Sequence, residues 1–223
     1  MSQLGVIFDM DGVLINSYQA HFESWRRMAR SHGLDMTPEQ FYESFGRTND
    51  AIIPEIWGDH VRPDEVSAWG DQKEQAYREI LREDFPEMDG AHELLEALHA
   101  AGFRMAIGSS GPPENVALVR DSLPDVFTGV VTSRDVTHGK PEPEVFLKAA
   151  EVLGLPPARC AVVEDAVAGV EAGRRAGMRV VALTGTAPRE KLEAMADRVV
   201  DSLRELGPEI FSSLLADASE ENP

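Results

Sequence analysis

The chain has 223 residues, a single cysteine at Cys160, a formal charge of −18 and an estimated pI of 4.6. That length suits one core domain with a sizeable insertion, or two small domains, and buries a core without staples. A negative field of this size opposes nucleic acid and anionic lipid, and the lone cysteine excludes an internal disulfide framework. No segment is apolar for long enough to cross a membrane.

The first run, Leu4-Gly5-Val6-Ile7-Phe8, is continuously apolar and stops at Asp9. It reads as a strand buried on both faces, as in parallel sheets. It is too short for a signal peptide and lacks a basic leader, and with one cysteine this points to the cytoplasm.

From about Ser17 to Phe85 only helical periodicity is visible. Ala20–His32 stops at Gly33, and Thr37-Pro38-Glu39-Gln40 reads as an N-cap, a proline at the first helical position and a capping-box glutamine. Phe45–Asp50 reads as a loop-like element, and a third helix runs over Asp64–Glu83. The expectation is an all-helical domain over 17–85, inserted into a core of 1–16 and 86–223 through linkers near Gly12–Ser17 and Asp84–Gly90, with a frayed polar tail over 216–223.

Beyond the insertion the pattern alternates. Apolar runs at Arg104–Gly108, Gly129–Thr132, Cys160–Glu164 and Arg179–Leu183, with a weaker one at Arg198–Val200, are separated by helical stretches. These are Ala91–Ala101, Glu114–Ser122, Pro143–Leu153 and Ala166–Ala176, several closed by a glycine suited to a left-handed C′ position. Such alternation predicts an α/β fold with a doubly wound parallel sheet.

Ligands of open parallel sheets bind beyond the carboxyl ends of the strands. There the sequence places Asp9-Met10-Asp11-Gly12, Ser109-Ser110-Gly111, a loop Gly139-Lys140-Pro141-Glu142-Pro143, and Glu164-Asp165. Each alone has a bland reading as a turn, a helix cap or a solvated charge. Four in order, at the same end of successive strands, outweigh it.

Phosphoryl transfer needs a nucleophile, neutralisation of charge and an acid for the leaving oxygen. Asp9 suits the nucleophile, and Asp11 suits the acid that later activates the acceptor. Asp9 and Asp165, with the Asp11 carbonyl and Glu164 assisting, suit Mg²⁺. Ser109 and the amides of the following helix start suit phosphoryl oxygens, and Lys140 suits the developing charge. Cys160, at the start of a buried strand, reads as a small core residue.

Phe8-Asp9-Met10-Asp11-Gly12-Val13-Leu14-Ile15-Asn16-Ser17, Ser109, Gly139-Lys140-Pro141 and Val163-Glu164-Asp165 resemble the four signature motifs of the haloacid dehalogenase superfamily. The resemblance covers essentially the whole chain and is nearest to the β-phosphoglucomutase and sugar-phosphatase branch. It implies a Rossmann-like core with strand order 3-2-1-4-5, a mobile helical cap closing over Asp9, and a Mg²⁺-dependent aspartyl-phosphate mechanism. Dehalogenases of this fold lack the second aspartate, and phosphonatases replace Asp11 and use a cap lysine, so neither activity is implied.

Gly12, Ser110 and Gly111 are then expected at the phosphate, and His21, Trp25, Arg47 and Lys73 toward the substrate. His21 and Trp25 share a helix face, and Lys73 resembles the substrate-facing lysine of the mutase. The mutase carries an arginine where Asn49 stands here, and Gly46-Arg47-Thr48 is more similar to the cap loop of broad sugar-phosphate phosphatases. The expectation is a monomeric phosphatase of small phosphorylated metabolites, with a β-phosphoglucomutase-like phosphomutase as the alternative and a non-catalytic sugar-phosphate binder disfavoured.

Overall fold

The computed structural model describes residues 3–44 and 47–220. It divides into two compact units, Met1–Asn16 with Glu87–Pro223, and Ser17–Pro86. Pro86, placed with the core in the sequence reading, falls in the second unit. Glu87 is the first returning residue tied to the core, bridging Ile15, and the Met88 amide donates to the Leu14 carbonyl at 2.9 Å.

Strand β1 (Gly5–Phe8) is followed by the helical unit, built from α1 (Tyr18–Ser31), α2 (Pro38–Ser44), α3 (Asn49–Trp57) and α4 (Val66–Glu83). Its core is a tryptophan cluster, with Trp25 5.8 Å from Trp57 and Trp57 6.4 Å from Trp69 between ring centroids. Met28, Met36, Phe41, Ile52 and Ile53 fill the space around it. The capping box of α2 forms reciprocally: Thr37 N donates to Gln40 Oε1 at 2.9 Å and Gln40 N to Thr37 Oγ1 at 3.2 Å.

Helix α3 departs from the sequence reading. The loop-like element ends at Thr48, the residue before a helix that carries Pro54 in its interior. An interior proline costs about 3 kcal/mol through its missing N–H and its clash with the preceding turn. Burial of Ile52, Ile53 and Trp57 on one face offsets it. Phe45 and Gly46 of the same element lie outside the described residues.

In the core unit α5 (Ala91–Ala100), β2 (Arg104–Gly108), α6 (Pro113–Ser122), β3 (Phe127–Val131), α7 (Glu144–Leu153), β4 (Cys160–Glu164), α8 (Val167–Arg175), β5 (Arg179–Leu183), α9 (Arg189–Glu193), β6 (Arg198–Val200) and α10 (Pro208–Glu220) follow in turn. The described strands form one parallel sheet of order β3-β2-β1-β4-β5-β6, the expected order extended by the weak run at Arg198. Ile7 aligns with Ala106 on one side and Val162 on the other, so strand termini stay level across the sheet. With period-two alternation, Ile7, Ala106, Val162, Val180 and Ala182 face α7 and α8, where Phe146, Ala149, Leu153 and Val170 pack. Val6, Phe8, Met105, Ile107, Val163 and Val181 are buried on the opposite face.

Helix α10 runs to Glu220, into the span expected as a frayed tail from Ala216, and residues 221–223 lie outside the described residues. No described helix is long and apolar enough to cross a membrane.

Candidate active site

The level strand termini bring four chain-distant segments to one edge of the sheet. Asp9 continues β1 by one residue, its amide donating to the Val163 carbonyl at 2.9 Å, and Ser109 continues β2, donating to the Val131 carbonyl at 3.0 Å. Behind Asp9 the chain turns sharply. The Met10 carbonyl accepts from the amides of Val13, Leu14 and Ile15, and Gly12 takes φ +81° while donating to the Ile15 carbonyl at 2.8 Å. A Cβ at Gly12 would lie 2.0 Å from Asp165 Oδ2, so the turn meets the end of β4 at a distance only glycine allows.

The Lys140 ammonium is the hub. It donates to Asp9 Oδ1, sits 2.8 Å from Glu164 Oε1, and lies 4.8 Å from the centre of the Phe146 ring. Glu164 is engaged at both oxygens, since Oε2 accepts the amides of Asp165 and Ala166 at 2.7 Å each. Asp9, Glu164 and Asp165 are buried, and one oxygen of each lies within 4.8 Å of the others.

Three carboxylates around one ammonium leave uncompensated negative charge out of water. Burial, more than the neighbouring Glu164 and Asp11 charges, raises the Asp9 carboxyl to about 7 against the pull of Lys140. Burial and then the charges of Glu164 and Asp9 push Asp165 well above the carboxylate range. An all-oxygen, over-acidic cluster is the donor set that a hard divalent cation satisfies. With Glu164 committed to Lys140 and two amides, Asp9 and Asp165 are the carboxylates best suited to hold it.

Ser109 is buried, and its Oγ accepts the Gly111 amide at 3.0 Å. The helix start after it offers less than the sequence suggests. Residues 112 and 113 are both proline and have no N–H, and the amides of Asn115 and Val116 already serve the Pro112 carbonyl. The Ser109–Gly111 turn lies directly before this helix start and stands with it as the candidate contact for phosphoryl oxygens.

Lys140 rides on the connection between β3 and α7, and sequence reasoning missed what shapes that connection. The Thr137 amide donates to both carboxylate oxygens of Glu144 at 3.0 Å, the His138 amide donates at 2.9 Å, and Lys148 one turn on lies at 3.0 Å. The Thr137 amide first, then that of His138 and the Lys148 ammonium, draw the Glu144 carboxyl down from 4.5 to about 2. A depressed carboxyl stabilises the fold fully above its unfolded value, and that contribution is lost as pH falls from 4.5 toward 2. The expected outcome is that the melting-temperature gap between wild type and Glu144→Gln is widest at neutral pH and closes on acidification, as followed by circular dichroism. A gap independent of pH would contradict it.

Within the helical unit, three of the four residues singled out come together. Lys73 is buried, with Nζ 3.0 Å from His21 Nδ1, 2.9 Å from Glu74 Oε1 and 5.4 Å from the centre of the Trp25 ring. His21 stacks on Tyr77 at 4.2 Å, and Asn49 Nδ2 donates to Glu74 Oε1 at 2.9 Å. Glu74 and Tyr77 were not foreseen, nor was Asn49 as a partner of Glu74, although its position had been singled out; the adjacency of Glu74 to Lys73 was the available signal. Arg47 is exposed and held by Glu55 through bonds of 3.0 and 2.5 Å.

The chain matches the haloacid dehalogenase-like hydrolase family model over residues 4–177. It is 34% identical over 218 residues to hexitol phosphatase A of Escherichia coli strain K12, covering 91% of this chain and 92% of that protein. It is 31% identical over 236 residues to β-phosphoglucomutase of Mycobacterium tuberculosis, covering 90% of each. Among solved structures, a haloacid dehalogenase hydrolase of family IA, variant 3, from Entamoeba histolytica superposes with a TM-score of 0.85 at 25% identity, covering 96% of this chain and all of that one. On the family-model match over most of its length and on relatives above 30% identity covered almost end to end, the chain belongs to the haloacid dehalogenase-like hydrolases.

Proposed function

We propose that this chain is a Mg²⁺-dependent phosphatase of small phosphorylated metabolites, sugar or polyol monophosphates in particular. The observation that carries the reading is the buried Asp9 carboxylate joined to Lys140 beside Glu164 and Asp165, with Asp11 two residues along. In this reading Asp9 attacks phosphorus, the bond from phosphorus to the substrate oxygen breaks, and Asp11 gives that oxygen its proton. Asp11 then takes a proton from water, whose oxygen attacks phosphorus, and the bond to Asp9 breaks to release inorganic phosphate. Lys140 and the Ser109–Gly111 turn hold the phosphoryl oxygens through both steps. Mg²⁺ bound by Asp9, Asp165 and the Asp11 carbonyl would supply electrostatic stabilisation of the same oxygens.

Water is favoured over a sugar hydroxyl as the acceptor by the state of the cations. A phosphomutase must grip a second phosphate. Here Arg47 is paired with Glu55 and Lys73 with Glu74, and the start of α6 has two prolines in place of amide donors. The hexitol phosphatase relative agrees with this reading. The mycobacterial phosphoglucomutase relative keeps the mutase as the second reading.

One experiment separates them. The protein is supplied with Mg²⁺, β-glucose 1-phosphate and a trace of glucose 1,6-bisphosphate, beside a panel of sugar and hexitol monophosphates, and both products are followed. Phosphate release across the panel is expected; glucose 6-phosphate forming faster than phosphate would reverse the preference. Chelation by EDTA is expected to lower turnover by at least ~100-fold, restored by excess Mg²⁺, since a metal at a phosphoryl group supplies several kcal/mol. Undiminished turnover in EDTA would refute the metal assignment.

A further inference from the structure

Lys140 is a loop residue whose side chain is nearly as buried as one in the core, 9% exposed. Holding a long cationic side chain in one place costs about 2 kcal/mol of rotamer freedom, so the backbone beneath it must itself be fixed. The segment between β3 and α7 has no regular structure to do this. It is fixed at three points outside the sheet edge, two by side chains and one by a backbone hydrogen bond.

At the β3 end, the Asp135 carboxylate accepts the Thr132 amide at 2.8 Å and the Thr132 hydroxyl at 2.6 Å. In the middle, Glu144 reaches back from the first turn of α7 and takes the amides of Thr137 and His138, the two residues that open the turn carrying Lys140. At the far side, the Glu142 amide closes on the Gly139 carbonyl at 3.0 Å. Lys148 joins the first two points, pairing with Glu144 at 3.0 Å and donating to the Asp135 carbonyl. Amides donating to an ionised carboxylate are stronger than neutral hydrogen bonds, and a helix N-terminus favours that negative charge. Glu144 thus links α7 to the irregular segment that delivers the cation.

We propose that Glu144 is a positioning residue for phosphoryl transfer, holding the 137–140 turn so that Lys140 Nζ meets Asp9 and Glu164. This rests on the reading of Lys140 as the cation that serves the phosphoryl group. A purely structural Glu144 would affect folding and leave the turnover of the folded enzyme alone. A positioning Glu144 affects the maximal rate, because the ammonium is aimed at charge that grows in the transition state.

The test measures kcat and KM for p-nitrophenyl phosphate with saturating Mg²⁺ in Glu144→Ala, Glu144→Gln, Glu144→Asp and Lys140→Met, each checked for folding by circular dichroism at the assay temperature. Glu144→Ala and Glu144→Gln are expected to lose about ten- to a hundredfold in kcat with KM nearly unchanged, the size of effect that a displacement of about 1 Å produces. Glu144→Asp is expected to recover part of the loss. Folded Glu144 variants with wild-type kcat, or losses confined to KM, would overturn the proposal while an impaired Lys140→Met left the phosphoryl-transfer reading standing. Lys140→Met turning over at the wild-type rate would overturn that reading, and this proposal with it.

Discussion

Asp9→Asn is expected to lower turnover by about four orders of magnitude or more, the scale seen when a covalent nucleophile is removed. The amide keeps the size of the carboxylate but has no electron pair suited to attack phosphorus, and no other described carboxylate stands at the head of β1. Folding is expected to survive. Burial disfavours the Asp9 charge, raising its carboxyl to about 7, and Lys140 keeps Glu164 as a partner at 2.8 Å. In EDTA at neutral pH the variant is therefore expected to melt no lower than wild type, since one of three crowded carboxylates has been neutralised. The measurement is phosphate release together with hydroxylamine trapping of the phosphoenzyme, which wild type shows and the variant lacks. A folded Asp9→Asn enzyme that still releases phosphate at the wild-type rate would remove the covalent mechanism.

Much of this site was legible because its parts sit where local pattern is strongest. β2, β4, β5 and β6 begin and end as the apolar runs do, and in β2, β4 and β5 every residue after the first is buried, which leaves few polar positions to blur the run. Asp9, Ser109 and Glu164 are visible because each breaks such a run at its carboxyl end. What stayed hidden is set by partners far along the chain or in elements that pattern misses. Arg47 looked available because its partner, Glu55, lies in α3, and Pro54 conceals that helix. Glu144 reads as an ordinary first-turn acid until the backbone shows the amides of Thr137 and His138 folded onto it.

Gly169 is the sharpest case of a residue whose role no local pattern discloses, and Gly169→Ala is expected to cost both stability and turnover. By helix propensity alone the change should help, because alanine within a helix such as α8 is worth roughly 0.5–1 kcal/mol over glycine. The neighbour reverses the sign. A Cβ at Gly169 would lie 1.6 Å from Glu164 Oε1 and 2.0 Å from its Cδ. Glu164 is 1% exposed, and its oxygens hold Lys140 and the amides of Asp165 and Ala166, so it has nowhere to swing without breaking charged hydrogen bonds. Overpacking costs about 1–3 kcal/mol, and each charged hydrogen bond lost adds about 1.5–3 kcal/mol, against which the propensity gain is small. A net loss of about 2–4 kcal/mol corresponds to a fall of roughly 5–15 °C in melting temperature for a chain of this size. Turnover should fall by about a hundredfold as the Lys140 ammonium loses one of its two anchors. Gly139→Ala is the matched control: it sits beside Lys140, a Cβ there meets nothing within 4 Å, and its backbone is not left-handed. That variant is expected to match wild type in melting and in kcat. A Gly169→Ala protein more stable than wild type with normal turnover would show that Glu164 is not fixed, and with it the anchoring of Lys140 would fail.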